Sequence, residues 1–117
     1  MSHPYVDKKS GLAMLAGNQK IYVTLLKKYF AGDLYEKAMA GVASDDVGQA
    51  QTALHTLKGA TGNLHLKALH EKSKDLELII KNEGRLPTPN EMAELTDAQE
   101  KTLAEIQIIV DDPSKLM

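Results

Sequence analysis

Proline occurs only at positions 4, 87, 89 and 113, so residues 5–86 run for most of the chain without the residue that breaks helices most firmly. Within that interval apolar residues recur at spacings of three and four, the period of a helix buried along one side. No run of four or more residues alternates apolar and polar in the β-branched manner of a half-buried strand. The pattern predicts an all-α chain whose internal breaks come from glycine. With 117 residues, 43% of them hydrophobic and 26% charged, the chain has room for one ordinary globular core and lies far from the composition of disordered proteins. A single domain over 1–117 is expected, with its core at about residues 6–110 and short tails at 1–5 and 111–117.

Five helices follow from the local signals. A short first helix over residues 6–15 ends near Gly17. Asn18 is placed to cap a long second helix over 19–43, with an apolar stripe through Ile21, Tyr22, Leu25, Leu26, Tyr29 and Phe30 and a kink expected at Gly32. Ser44, Asp45 and Asp46 supply a cap and early negative charge for a third helix, whose Val47, Ala50, Leu54, Leu57, Thr61 and Leu64 step by three or four. Residues 66–83 form a fourth, using Leu66, Leu69, Ser73, Leu76 and Ile80, with Gly84 where a left-handed residue ends a helix. Thr88, Pro89 and Glu91 make a capping box with proline at the first helical position, opening a fifth helix that reaches about Val110. Residues 111–117 read as a frayed tail. Long helices with short joins predict an up-and-down antiparallel four-helix bundle with a short extra N-terminal helix.

Several functions are excluded at this level. A formal net charge of −2 with scattered lysines gives no long-range attraction to nucleic acid. The absence of cysteine removes disulfides and thiolate metal sites and is compatible with a reducing cytoplasm. The first residues lack the layout of a signal peptide, and no apolar run is long enough to span a bilayer, so a cytoplasmic location without membrane attachment is expected.

The unusual stretch is ALHTLKGATGNL at 53–64. With Leu54 and Leu57 facing inward, His55 lies at the edge of the apolar stripe, and Lys58, Gly59 and Gly62 follow on its side of the helix. Each interior glycine costs about 1 kcal/mol relative to alanine, so two beside a histidine point to close approach by another surface. Neutral imidazole is a nitrogen nucleophile near neutral pH, and the Lys58 ammonium one turn on can neutralise delivered negative charge. His55 is therefore a candidate acceptor of a phosphoryl group. The competing readings are an ordinary surface histidine, and a helix C-cap at Gly62 and Asn63 that would leave only Gly59 to explain. Metal binding by His55, His65, His70 and Asp75 is disfavoured, because no two histidines have the i, i+4 spacing of a helical zinc site.

HTLKGATGNLH, at 55–65, resembles the signature of the histidine-containing phosphotransfer (HPt) domain family, approximately H-x-L-K-G followed by small residues and N-L-G. GLAMLAGNQKIYVTLLKKYF resembles the family's entry region, and LHEKSKDLE is similar to its following helix. The resemblance implies a four-helix bundle with an exposed phospho-accepting histidine midway along one helix. His55 matches that histidine, Lys58 the lysine beside the phosphoryl group, Gly59 the glycine that leaves room for the partner, and Leu57 the inward leucine. His65 departs from the pattern, standing where the family commonly has glycine, with Gly62 or Asn63 available to supply the tight backbone.

The resemblance further implies a passive carrier in a two-component phosphorelay. No phosphate-binding loop for ATP is recognisable, so the chain is not expected to be an enzyme that phosphorylates itself. Phosphate would come from the aspartyl phosphate of a response-regulator receiver domain, rest on His55, and pass to a second receiver, with a hybrid sensor histidine kinase upstream. This chain would bind no cofactor, and Mg²⁺ would be held by the receiver. Tyr22, Leu26 and Phe30 are candidates for an apolar docking surface alongside Gly62, the competing reading being that the three large residues are core. A monomer is expected. The initial Met and the full set of helices favour a separate chain over a domain excised from a hybrid kinase. The alternative function is a helical-bundle adaptor that binds receivers or kinases without being phosphorylated.

Overall fold

The computed structural model describes the backbone of residues 5–116 and side chains through Ser114, so most of the expected N-terminal tail and Met117 lie outside the described residues. The described residues form helices and no strand, as the spacing of apolar residues predicts. The helices are α1 (Lys8–Met14), α2 (Gln19–Ala31), α3 (Leu34–Ala43), α4 (Val47–Asn63), α5 (Lys67–Glu83) and α6 (Pro89–Asp111), followed by a 3₁₀ turn at Pro113–Leu116. The C-terminal residues are thus not simply frayed, because this turn packs against α6 and α2.

The expected second helix is two helices. Gly32 is extended, with φ −81° and ψ −178°, and Asp33 follows at φ −125° and ψ 20°, so the chain breaks rather than kinks. Burial supplies the reason. Tyr29 and Ala38 are both buried, yet at about 100° per residue a continuous helix would set them on opposite sides. The break resets the phase, letting α2 bury Tyr22, Leu26 and Tyr29 while α3 buries Ala38 and Gly41.

The other ends follow local chemistry. Asp46 caps α4, its carboxylate accepting the backbone N–H groups of Gly48 and Gln49 at 2.9 and 3.2 Å. Asn18 caps α2 through the N–H of Ile21, and Asp7 caps α1 through that of Ser10. The capping box at α6 is complete, with Glu91 N–H to Thr88 Oγ1 at 3.2 Å and Thr88 N–H to Glu91 Oε1 at 2.8 Å. Glu91 also receives both Arg85 terminal nitrogens, at 2.9 and 3.2 Å, and the Arg85 bonds with the capping contacts hold its carboxyl down to about 2.

The turn after α4 resolves the departure at position 65. His65 adopts the left-handed conformation with φ 57°, its N–H donates to Gly62 O at 3.2 Å, and the Leu66 N–H donates to Thr61 O at 2.9 Å. This is a Schellman ending, in which the residue just beyond the helix turns left-handed and its N–H and that of the next residue bond back to the last carbonyls. The tight backbone is therefore supplied by His65 itself, not by Gly62 or Asn63, and this is the conformation for which glycine is the usual choice. Tyr22 Oη donates to Leu64 O at 2.7 Å and Asp7 N–H to His65 O at 2.8 Å, fastening α2 and the N-terminal segment to the same turn.

The core lies along a series of contacts in which α3 packs on α4, α4 on α5, α5 on α6 and α6 on α2. Leucines from α2, α4, α5 and α6 meet there with Tyr22, Ile106 and Ile109. One buried polar pair crosses it, Tyr29 Oη donating to Gln99 Oε1 at 2.6 Å, and a half-buried pair lies at its margin, with Tyr35 Oη 2.7 Å from Thr96 Oγ1. Thr102 Oγ1 is buried without a hydrogen-bond partner among the described residues.

Candidate functional site

The α4–α5 pair builds the site. Leu54 and Leu57 point into the core, and the helical period then carries the intervening His55 outward, leaving its side chain 66% exposed. Lys58, one turn on, is 24% exposed. Across the interface α5 presents Glu77, whose side chain is 3% exposed. Glu77 Oε2 lies 3.1 Å from His55 Nδ1, Glu77 Oε1 is 2.7 Å from Lys58 Nζ, and Lys81 Nζ reaches Oε2 at 3.5 Å.

These contacts define the state of the imidazole. An ionised carboxylate only accepts hydrogen bonds, so Nδ1 of His55 carries the proton, and in the neutral ring Nε2 holds the free lone pair. Burial pushes the Glu77 carboxyl up, but the Lys58 ammonium, hydrogen-bonded and close, outweighs it together with Lys81 and the His55 ring, holding the group below the ordinary carboxylate range. Glu77 is thus ionised at neutral pH, a buried charge sustained by its partners.

The sequence reasoning noted Glu77 only as the end of LHEKSKDLE, the stretch that resembles the family's following helix, and gave neither it nor Lys81 a role. The signal was present: Ser73, Leu76 and Ile80 mark the inward face of α5, and Glu77 falls inside that stripe, an acidic residue where an apolar one is expected. Lys81 follows it by one turn, the spacing of a helical ion pair.

The two glycines separate in role. A Cβ added at Gly59 would meet nothing within 4 Å, so the surface beside His55 is open there. A Cβ at Gly62 would lie 2.9 Å from Nδ1 of His70, whose ring donates through that nitrogen to Lys58 O at 2.9 Å. Gly62 therefore makes room for a side chain of the protein's own α5, while remaining half-exposed itself.

Tyr22 and Leu26 are fully buried and belong to the core, so they are not part of an outer surface. Phe30 is 41% exposed, as is Ile21 to a similar degree. Half-buried Leu25 and the edge of buried Tyr29, with Lys28, Ala60 and Leu64, border a groove of about 250 Å³ between α2 and α4. A larger groove, about 840 Å³, lies between α3 and α4, and Thr52, Ala53 and Thr56 on its wall flank His55 in sequence. Among the described residues no three His, Asp or Glu side chains gather as a metal site, and His55, His65, His70 and Asp75 do not converge.

The family model for the Hpt domain matches residues 29–107, from the last turn of α2 to near the end of α6. That span is well over half of the chain, and the protein belongs to the Hpt domain family. No curated protein and no solved structure matches it. Among the described residues no helix is long and apolar enough to cross a membrane.

Proposed function

We propose that this protein is a phosphoryl carrier of a two-component phosphorelay, accepting the group from a receiver-domain aspartate on Nε2 of His55 and passing it to another receiver. The observation that supports this reading best is the hydrogen bond from His55 Nδ1 to the buried Glu77 carboxylate, because it holds the ring with its other nitrogen in solvent. Phosphoryl transfer depends on in-line positioning and charge neutralisation more than on covalent help. Lys58 lies one turn away to meet the developing charge, and the open surface at Gly59 lets a partner approach. The receiver would bring Mg²⁺ and the acidic groups that hold it.

The α2–α4 groove, the α3–α4 groove and exposed Phe30 offer an apolar surface continuous with the helix that carries His55. A contact of modest area suits a partner that must leave after transfer. Receivers and a hybrid sensor histidine kinase are the partners this reading requires, and it takes the chain to act as a cytoplasmic monomer built as an up-and-down four-helix bundle in which α2 and α3 together serve as one of the four helices and α1 is the extra one.

The test is transfer from phosphorylated receiver domains of the same organism to wild type and to His55→Gln. Acid-labile, base-stable label on wild type alone supports the carrier. Receivers that bind without labelling wild type would replace it with the adaptor reading.

A further inference from the structure

The Glu77 contact has a consequence for the phosphorylated protein, one that rests on His55 being the carrier residue. When Nε2 attacks the aspartyl phosphate, the N–P bond forms, the aspartyl O–P bond breaks, and the receiver carboxylate departs with the electron pair. The ring now bears the phosphoryl group on Nε2 and a proton on Nδ1, and is a cation. Loss of that proton to water would leave a neutral phosphoimidazole, whose discharge would expel imidazolate, a far poorer leaving group than imidazole.

We propose that Glu77 keeps the proton on Nδ1 throughout the transfer cycle, so that His55 always hands the phosphoryl group on as neutral imidazole. Onward transfer is then balanced without a proton: the next carboxylate attacks phosphorus, the N–P bond breaks, and its electron pair returns to Nε2.

Geometry and charge both favour this. Deprotonation would set the Nδ1 lone pair against a carboxylate oxygen 3.1 Å away, in a position where the Glu77 side chain is buried and tied to Lys58 by its other oxygen. The ionisable groups joined in ion pairs beside the ring are, among the described residues, Lys58 from α4 and Glu77 and Lys81 from α5. The phosphoryl group adds roughly two negative charges. With Glu77 ionised, both lysines charged and the ring protonated, the cluster is neutral. Remove the Glu77 charge and neutrality is reached with the ring deprotonated instead. The cations on Glu77 do not reverse this, because Lys58 sits on the far carboxylate oxygen and has the phosphoryl group to neutralise, and Lys81, which shares Oε2 with the ring, stands farther off at 3.5 Å against 3.1 Å for Nδ1.

The experiment needs no receiver, so it is independent of the transfer assay above. Wild type, Glu77→Gln and His55→Gln are phosphorylated with phosphoramidate, a small donor to imidazole nitrogen, and followed by ³¹P NMR against pH. The resonance absent from His55→Gln belongs to His55. Its midpoint in wild type is expected at least one pH unit above that in Glu77→Gln and above that of free N-phosphohistidine, and at pH 8 wild type is expected to lose the group about tenfold faster than the variant. Coincident midpoints would overturn the proposal, as would failure of His55 to accept the group. Should Glu77→Gln not fold, the comparison of wild type with free N-phosphohistidine decides alone. If the midpoint is raised but no receiver labels the protein, the ring-charge assignment stands and the relay reading fails.

Discussion

Glu77 and His55 are 22 residues apart in sequence and 3.1 Å apart in space, a carboxylate of α5 selecting which imidazole nitrogen of α4 faces solvent. The same carboxylate spends its other oxygen on Lys58, so one buried charge orders both side chains the family signature points to. Its effect on stability has a definite sign. The folded-state carboxyl is held below its ordinary value of about 4.5, so ionised Glu77 favours the folded chain above that pH and ceases to do so as pH falls through the lower folded value. In chemical denaturation, the stability gap between wild type and Glu77→Gln is expected to be full at pH 6–7 and to close as pH falls below the ordinary value of 4.5 and through the lower folded one. A gap independent of pH would mean that Glu77 contributes by shape alone.

The two glycines of the His55 helix predict opposite responses. Gly59→Ala meets open space and gains helix propensity, so it should stabilise by about 1 kcal/mol. Gly62→Ala drives a methyl group onto the His70 ring, which is pinned by its bond to Lys58 O, and overpacking of about 2 kcal/mol should exceed the same propensity gain. Urea titrations of the two variants read the signs directly.

His65 is held left-handed at φ 57°, a conformation that costs a side-chain-bearing residue about 1 kcal/mol relative to glycine. His65→Gly is expected to raise the melting temperature while leaving the helix content by circular dichroism unchanged. An unchanged or lowered melting point would show that the imidazole makes compensating contacts worth as much.

Thr102 Oγ1 is buried with no partner, so its desolvation is unrepaid. Thr102→Val keeps the shape and removes the hydroxyl, and should stabilise by about 1 kcal/mol. Destabilisation in a denaturant series would show that the hydroxyl is satisfied in solution.

Much of the fold was legible because its signals are local. A cap touches residues two or three away, so Asp46, Thr88 with Glu91, and Gly84 mark their helix ends in one dimension. The strip of His55, Lys58 and Gly59 was legible for the same reason, being set by the period of one helix. The break at Gly32 was harder, because it depends on both Tyr29 and Ala38 being buried, a demand made by neighbouring helices. Tyr22, Leu26 and Phe30 show the limit of a stripe: it tells which residues share a side, and only packing decided that the first two are core and the third is exposed.

What the sequence by itself determined was the all-α class, most helix ends and the strip that joins His55, the proposed nucleophile, to Lys58, since these follow from chain neighbours and helical phase. Tertiary structure alone decided what lies across from them. It brought Glu77 to His55, set His70 against Gly62, and turned His65 left-handed to close the α4–α5 turn. The physical reason is that helical phase fixes direction within one helix, whereas a hydrogen bond or close approach between helices depends on the register at which they pack.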